Sequence, residues 1–338
     1  MMNRMTDFAT LLSSFLTEYL PVQKGASIQT ISSYRDTFKL LLRYLRDEKK
    51  IQPEKVKLAL LDREVITAFL KWLESERGCG VSTRNQRLAA IRSFIKYAQF
   101  EFPEKLDSFQ RILSIPSKKT QAAVIPYLTA DEMRLILAEP DRSTVSGRRD
   151  LAILSLLYDS GCRIQELIDL RICDLVLEPT GIVTLHGKGG KTRRVPIEKN
   201  TVQILRQYIA DQKLEKKNDE LLFPGRYGNK LTREGVTYII SKYVSRARAA
   251  MPSIPEKVTP HIFRHTRAML LLQAGVNLIY IRDFLGHTDI KTTEIYAKAD
   301  TELKRKAIEN AMSAVFTEYR EKDWTQNGSL MEWLNELC

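Results

Sequence analysis

The chain has 338 residues, of which 43% are hydrophobic, 28% charged and 8% aromatic. This composition is that of a globular protein and excludes a largely disordered chain, and the length suits two domains with separate cores. The 53 Lys and Arg outnumber the 41 Asp and Glu, which leaves a formal net charge of +12. Residues 1–115 and the remainder each carry about half of this excess, so both parts are expected to meet the same polyanionic partner.

The four cysteines show no CxxC pair or zinc-finger spacing, and neither a zinc cluster nor a disulfide framework is expected. The N-terminus has an acidic residue before a short apolar run and no cleavage signature, so we predict no signal peptide. The longest apolar runs are too short to span a bilayer. These features favour a cytoplasmic protein that has no contact with membranes.

Residues 1–115 are predicted to form a helical domain. Apolar residues recur every three or four positions in 8–20, 28–50, 63–78 and 82–102, which is the pattern of amphipathic helices. Suitable N-cap residues precede or begin three of these segments: Ser27, Asp62 and Ser82. The faces opposite the apolar stripes are predicted to contact DNA phosphates through Arg84, Arg87, Arg92 and Lys96.

A change of pattern follows at 116–126, where prolines, small polar residues and lysines predict a linker. Residues 127–319 are predicted to form a second domain of helices with two strands around a glycine-rich turn, and 320–338 a C-terminal tail. The fold class is therefore mostly α with a small β-sheet (α+β). The apolar residues of the tail suit either packing on its own domain or docking on a neighbouring subunit.

The first polar stretch of the second domain is SGCRIQEL, residues 160–167. Ser160 and Gly161 interrupt a helix, and Arg163 begins the next one. A guanidinium beside free N–H groups at a helix start can bind a phosphate oxygen. The alternative is an ordinary surface arginine that pairs with Glu166 at i+3.

The second stretch is HGKGGKTRRVP, residues 186–196. Lys188 is predicted at the tip of a hairpin, where it can protonate a leaving oxygen or hold a phosphate; the alternative is an exposed hairpin lysine. The P-loop spacing is absent, so nucleotide binding is rejected. Lys191 and Arg193 are predicted to contact DNA.

The third stretch, HIFRH at 261–265, has the histidine spacing of a zinc-protease motif. It lacks the required glutamate, and Arg264 would repel a metal ion, so we predict no metal site. His261 and Arg264 share a helix face and can grip two oxygens of one phosphate. His265 is expected to order the helix against the core, with no catalytic role.

In the fourth stretch, LGHTDIKTTEIYAKAD, His287 follows Gly286 at a helix end and Tyr296 lies nine residues further on. The order and spacing of all these residues resemble the tyrosine recombinases, the integrase family that includes the Xer proteins and phage integrases. The resemblance covers about 127–310, and residues 1–115 resemble the family's core-binding, SAM-like domain. It is carried by Arg163 with Glu166, Lys188, His261-x-x-Arg264, Gly286-His287 and Tyr296.

The resemblance implies a catalytic domain of the DNA breaking–rejoining type with Tyr296 as nucleophile. Arg163 and Arg264 would hold the phosphate, His261 would be the general base and Lys188 the general acid. His287 would support the phosphate or the tyrosine, and Glu166 would support the arginines. No metal, ATP or other cofactor is expected, because the cations do the work of a divalent ion.

The partner implied by the resemblance is double-stranded DNA with inverted-repeat core sites. Four protomers would act on two duplexes through a Holliday junction, as a homotetramer or as a heterotetramer with a related recombinase, in the cytoplasm at the nucleoid. Integration, transposition and resolution of DNA elements stay open as biological roles. The alternatives are a type IB topoisomerase-like enzyme, a hairpin-forming resolvase and a catalytically silent DNA-binding protein.

Overall fold

The computed structural model describes residues 6–120, 126–214, 219–225, 228–287 and 289–299. The chain divides into two compact units, Met1–Ala123 and Val124–Cys338. Among the residues so described, no helix is both long and apolar enough to cross a bilayer. The C-terminal tail predicted at 320–338 lies outside the described residues.

The described part of unit 1, residues 6–120, contains five α-helices around one apolar core. They are α1 (Asp7–Ser14), which continues as a π-helical segment over Phe15–Gln23, α2 (Ile28–Asp47), α3 (Arg63–Ser75), α4 (Val81–Glu101) and α5 (Leu106–Leu113). Side chains of Thr6, Ser27 and Asp62 cap the first three helices by accepting a hydrogen bond from a backbone N–H. Ser82 does not cap α4, because that helix starts one residue earlier and Gly80 is its N-cap.

Unit 2 contains eight α-helices and one small sheet in its described part. The helices are α6 (Ala130–Ala138), α7 (Val145–Asp159), α8 (Ile164–Asp169), α9 (Lys199–Asp211), α10 (Arg233–Ala250), α11 (Pro260–Gln273), α12 (Leu278–Leu285) and α13 (Lys291–Ala299). The strands are β1 (Leu175–Val176), β2 (Ile182–His186) and β3 (Thr192–Pro196), in antiparallel order β1-β2-β3. The mostly α class with a small sheet is thus confirmed, whereas the two-residue β1 of this unit and α5 of unit 1 were not predicted from the sequence pattern.

The central helix of unit 2 is α7. Its side chains from Ala152 to Leu154, and those of Leu156 and Leu157, are completely buried, which is the pattern of a helix surrounded by other elements. The helix ends at Asp159 with Ser160 as its C-cap, and Gly161 adopts a left-handed conformation with φ of 54°. The chain therefore turns sharply from this buried helix into α8, and the turn places Arg163 at the start of α8.

Candidate active site

Arg163 and Glu166 form the first part of the site, at the N-terminus of α8. The backbone N–H of Arg163 donates to Oε2 of Glu166 at 2.8 Å, and its Nη1 donates to Oε1 at 2.9 Å. The Arg163 side chain is 40% exposed, whereas that of Glu166 is 3% exposed. Glu166 therefore fixes the orientation of Arg163 and leaves part of the guanidinium exposed to a ligand.

Arg193 on β3 holds the same carboxylate from the other side. Its Nη1 and Nη2 donate to the two oxygens of Glu166 at 2.8 and 2.7 Å, and its Nε donates to the carbonyl of Phe284 at 3.0 Å. The side chain is 12% exposed. The interpretation of Arg193 as a DNA-contacting surface cation is therefore wrong, because its guanidinium is already committed to an internal carboxylate and a carbonyl.

Arg264 reaches the same place from α11. Its Nη1 donates to the carbonyl of Gly161 at 2.6 Å and its Nη2 to the carbonyl of Leu285 at 2.5 Å, and the residue is 4% exposed. Burial, with the nearby charges of Arg163 and Arg193, lowers the pKa of Arg264 to about 10. Arg264 thus remains charged at neutral pH but is a poorly solvated cation.

The three arginines meet at the C-terminal end of α12. Nη2 of Arg163 donates to the carbonyl of Gly286 at 3.2 Å, so three successive carbonyls, those of 284, 285 and 286, each accept from a different arginine. The final carbonyls of a helix lack partners within the helix and carry its negative dipole end, which attracts cations. The three arginines, which lie up to about a hundred positions apart in the sequence, thereby all bind one short peptide, residues 284–286.

The charge of this cluster favours an anion. Burial alone would raise the pKa of Glu166, but the hydrogen bonds and charge of Arg193, with the hydrogen bonds from Arg163, outweigh it and lower that pKa. Glu166 is therefore ionised at neutral pH and neutralises one of the three guanidinium charges. The hydrogen-bonded cluster as described keeps an excess of two positive charges, which suits a phosphate group.

His287 follows the helix end directly. Gly286 terminates α12 in the left-handed conformation, and Nδ1 of His287 lies 2.9 Å from the hydroxyl oxygen of Thr293, which is buried. Burial, and then the charges of Arg264, Arg163 and Arg193, lower the pKa of His287 to about 4. The imidazole is therefore neutral at pH 7 and keeps a ring nitrogen for a hydrogen bond.

Tyr296 is the buried aromatic residue of α13. It is 1% exposed and packs in a small apolar cluster with Ala268, Met269, Ile281 and Leu285. Burial raises the pKa of its hydroxyl, and the charge of Arg264 partly offsets this.

The hydroxyl of Tyr296 contacts His265, the histidine for which only a packing role was expected. Nδ1 of His265 lies 2.9 Å from the hydroxyl oxygen, and burial, with His261 and Arg264 nearby, lowers the pKa of His265 to about 4. His265 therefore orders α11 against the buried Tyr296 through a hydrogen bond as well as by packing, and the absence of a catalytic role for His265 stays a prediction.

His261 lies one helical turn before His265, with ring centroids 6.4 Å apart, and keeps an exposed face. Partial burial, with the charges of Arg264 and Arg163, lowers its pKa. His261 therefore lies on the open side of the cation cluster, whereas His265 faces Tyr296 in the interior.

Lys188 begins the turn that joins β2 to β3, where Gly189 and Gly190 have φ of 77° and 72°. The predicted hairpin is thus present, although the side chain of Lys188 lies outside what the structure describes. Gly187 closes the hairpin by donating its N–H to the carbonyl of Lys191 at 2.7 Å. Lys191 itself is exposed, so the prediction that it contacts DNA stays open.

The arginines predicted to face DNA in unit 1 are used inside that unit. Arg84 is 6% exposed, and its Nη1 donates to the carbonyl of Pro116 at 3.1 Å. Arg87 donates to the carbonyl of Ser33 at 2.9 Å, and Arg92 donates to the carbonyl of Ile115. The prediction that Arg84 is exposed and contacts DNA is therefore wrong. Arg87 and Arg92 are partly buried, and each donates a hydrogen bond to a backbone carbonyl. Lys96 is exposed, as predicted.

No metal site is evident in the part of the chain that the structure describes. A search of those residues finds no group of three His, Cys, Asp or Glu side chains that could hold a metal ion. The two histidines of HIFRH point to different surroundings, one to the open side and one to Tyr296.

Comparison with known proteins identifies both parts of the chain. Residues 126–302 match the phage integrase family, and residues 14–101 match the phage integrase N-terminal SAM-like domain. A putative integrase/recombinase, y4rC of Sinorhizobium fredii, is 39% identical over 99% of this chain and 100% of its own length. The tyrosine recombinase XerD of Staphylococcus haemolyticus is 32% identical over 85% of this chain and 93% of its own length.

The fold has relatives among solved structures. The XerH site-specific recombinase, in its post-cleavage complex with a palindromic difH substrate, superimposes with a TM-score of 0.66 at 24% identity. The match covers 89% of this chain and 84% of that one. The chain therefore belongs to the phage integrase family and is a tyrosine recombinase, a site-specific recombinase enzyme.

Proposed function

We propose that this enzyme cleaves and rejoins double-stranded DNA through a covalent 3'-phosphotyrosyl intermediate at Tyr296. The observation that carries the proposal is the convergence of Arg163, Arg193 and Arg264 on the end of α12, with His261 and His287 beside them. A cluster with two uncompensated positive charges matches a phosphodiester, which has one negative charge and gains a second in the transition state.

In this mechanism the phosphate binds at the exposed part of Arg163, and the buried charge of Arg264 lies behind it. Both guanidiniums are fixed before the substrate arrives, so no reorganisation is needed as charge develops. Removal of one such preorganised donor is expected to slow cleavage by roughly a hundred- to a thousandfold. Glu166 keeps Arg163 oriented through its two hydrogen bonds.

The covalent step forms a bond between the Tyr296 hydroxyl oxygen and phosphorus and breaks the bond from phosphorus to the 5'-oxygen. His261 accepts the tyrosine proton, Lys188 donates a proton to the leaving 5'-oxygen, and neutral His287 hydrogen-bonds the phosphate or the tyrosine. Because Tyr296 is buried against His265, it leaves that partner and moves outward to reach a DNA phosphate. The rejoining step reverses these transfers, so the bond energy is conserved and ATP is not needed.

The substrate follows from charge and from family membership. The chain has a formal charge of +12 shared by both parts of the sequence, and XerH, a fold relative, was solved bound to its palindromic difH substrate. We propose binding to inverted-repeat core sites, with four protomers exchanging strands between two duplexes through a Holliday junction. A homotetramer and a heterotetramer with a related recombinase are the two assemblies to be distinguished.

We propose that the exposed Lys96 of unit 1 and the exposed Lys191 of unit 2 each contact DNA, whereas Arg84 is buried. We propose domains at 1–115 and 127–319 joined by 116–126, with the enzyme acting in the cytoplasm at the nucleoid. Integration, transposition or resolution of a DNA element is the biological role, and inverted repeats or mobile-element genes beside the gene would identify which one.

The experiment is capture of a covalent adduct. A pool of end-labelled, nicked duplexes with randomised arms is incubated with the enzyme, and adducts are recovered from a denaturing gel. Wild-type protein should form an adduct, and Tyr296→Phe should bind the recovered sequence with unchanged affinity but form none. An undiminished adduct with Tyr296→Phe removes Tyr296 as nucleophile, and no adduct with wild type favours a silent DNA-binding protein.

Two controls separate related activities. Joined two-site products distinguish a recombinase from a type IB topoisomerase, which would relax a plasmid that lacks a site. Cleavage in EDTA tests metal independence: loss of the adduct in EDTA and its return with Mg²⁺ or Zn²⁺ would show that a metal takes part.

A further inference from the structure

The position of Arg193 gives it a function beyond that of a buried ion pair. It lies on β3, directly opposite Leu185 of β2, in the hairpin that carries Lys188. Its guanidinium extends away from the hairpin and donates three hydrogen bonds, two to Glu166 and one to the carbonyl of Phe284. One side chain thereby joins the hairpin, the start of α8 and the end of α12.

The Glu166 carboxylate is shared between two arginines. Arg193 donates to both of its oxygens, and Arg163 donates to the same two oxygens through Nη1 and its backbone N–H. Because the Glu166 side chain is 3% exposed, neither a water molecule nor a rotation of the carboxylate can readily supply a new donor when one arginine is lost. The orientation of Arg163 therefore depends on how Arg193 fixes Glu166.

The end of α12 is shared in the same way. Arg193 donates to the carbonyl of Phe284, and its side chain packs against Gly286, where an added Cβ would come 2.9 Å from Cδ of Arg193. Gly286 accepts from Arg163 and precedes His287. Arg193 therefore fixes both groups that accept hydrogen bonds from Arg163, namely the Glu166 carboxylate and the 284–286 peptide.

We propose that Arg193 is a positioning residue for strand cleavage, which acts by fixing Glu166 and the 284–286 peptide so that Arg163 meets the scissile phosphate. The inference rests on the proposed function. It differs from a DNA-binding role, because Arg193 is committed inside the protein. It also differs from simple stabilisation. The groups that accept its hydrogen bonds, Glu166 and the 284–286 peptide, also hold Arg163, which is proposed to touch the reacting phosphate.

The fork of the guanidinium is essential to this role. Arginine presents donors in fixed directions and can serve a carboxylate and a carbonyl together, whereas a lysine ammonium is a point charge on a flexible stem. Loss of an outer partner of a metal ligand typically costs ten- to a hundredfold, and we expect the same scale here. Arg193→Lys keeps the charge beside Glu166 but not the fork.

The test measures single-turnover adduct formation at saturating DNA, with the nicked duplex recovered from the randomised pool. Arg193→Gln should be about ten- to a hundredfold slower, with DNA affinity changed less than about threefold. Arg193→Lys should give the circular dichroism spectrum of the folded protein yet remain about tenfold slow. The matched control is Arg194→Gln on the same strand, which loses the same charge from an exposed position and should keep the wild-type rate.

A double-mutant cycle tests coupling to Arg163. If Arg193 acts through Arg163, then adding Arg193→Gln to Arg163→Lys should slow cleavage by no more than about threefold beyond the slower single variant. Multiplied losses would overturn the inference, as would a wild-type rate in Arg193→Lys or a loss that saturating DNA abolishes. Failure of the proposed function is distinct, because wild-type protein itself would then form no adduct.

Discussion

Nδ1 of His265 lies 2.9 Å from the hydroxyl oxygen of Tyr296, in a site where the tyrosine is 1% exposed. The imidazole is the hydrogen-bond partner of a buried hydroxyl, and its low pKa, about 4, keeps it neutral at pH 7. Tyr296 therefore lies in the interior, and its hydroxyl has His265 as a hydrogen-bond partner. In the proposed mechanism, cleavage then requires the Tyr296 hydroxyl to exchange this internal partner for a phosphate.

The first prediction concerns the strength of this pair. His265→Leu leaves the Tyr296 hydroxyl buried without its partner, so the free energy of unfolding should fall by about 1–3 kcal/mol. Urea unfolding followed by circular dichroism measures the change. In a Tyr296→Phe background the same substitution should cost about 1 kcal/mol less, because no hydroxyl is then left unsatisfied. An equal cost in both backgrounds would show that His265 contributes only packing.

A second prediction concerns Glu166, the carboxylate that two arginines share. Glu166→Gln removes the buried negative charge and leaves Arg163 and Arg193 to repel each other, and loss of one member of a buried ion pair costs about 3–5 kcal/mol. The matched control is Glu178→Gln, whose side chain is 77% exposed and pairs with Arg206 at the surface. That variant should lose less than about 1 kcal/mol in the same unfolding assay. Similar losses for the two variants would contradict the buried-cluster account.

A third prediction follows from the geometry of Arg264. Its two Nη atoms donate in different directions, to the carbonyls of Gly161 and Leu285. Lysine cannot serve both carbonyls, so Arg264→Lys should slow adduct formation by roughly a hundred- to a thousandfold although the charge is kept. Single-turnover rates with the nicked duplex measure this effect. A rate within threefold of wild type would mean that charge alone suffices.

The fourth prediction concerns pH. Burial and neighbouring cations hold the pKa values of His265 and His287 at about 4, below the value of about 6.5 in an unfolded chain. Between these values the unfolded chain takes up protons that the native state does not. The free energy of unfolding should therefore fall as the pH falls from about 6.5 to about 4, by at most about 1.4 kcal/mol per pH unit for each imidazole.

Two measurements check this pH dependence. Proton NMR of the four histidines, assigned with single variants, should show two imidazoles that titrate near pH 4. His287→Gln should reduce the slope of unfolding free energy against pH by the share of one imidazole. Titration of both His265 and His287 near 6.5 would refute the prediction.

Much of the site could be predicted from residue type and spacing, and two errors, at Arg193 and Arg84, were avoidable. In β3 the side chains alternate, so Arg193 shares its face with Val195, which is completely buried. The same reasoning applies to Arg84, which lies one helical turn before the buried Leu88 on α4. Each arginine occupies the apolar face of its element, and that periodicity predicts an internal partner.

The common anchor of the three arginines was beyond the reach of the sequence. A backbone carbonyl has no sequence signature, because every residue supplies one. Nothing in the residue types of Phe284, Leu285 and Gly286 indicates that residues 193, 264 and 163 donate to them in turn. Only the path of the folded chain brings those donors to the end of α12.

This dependence on carbonyls affects which mutations the enzyme tolerates. The contacts at 284–286 use atoms that every amino acid carries, so a substitution there removes none of the three acceptors, although Gly286 is limited by its left-handed backbone and by the nearby Arg193. A one-residue insertion or deletion, in contrast, rotates the helix end and offsets all three arginines in one event. We therefore expect a change in the length of α12 to impair the enzyme more than a change of the side chains that end it.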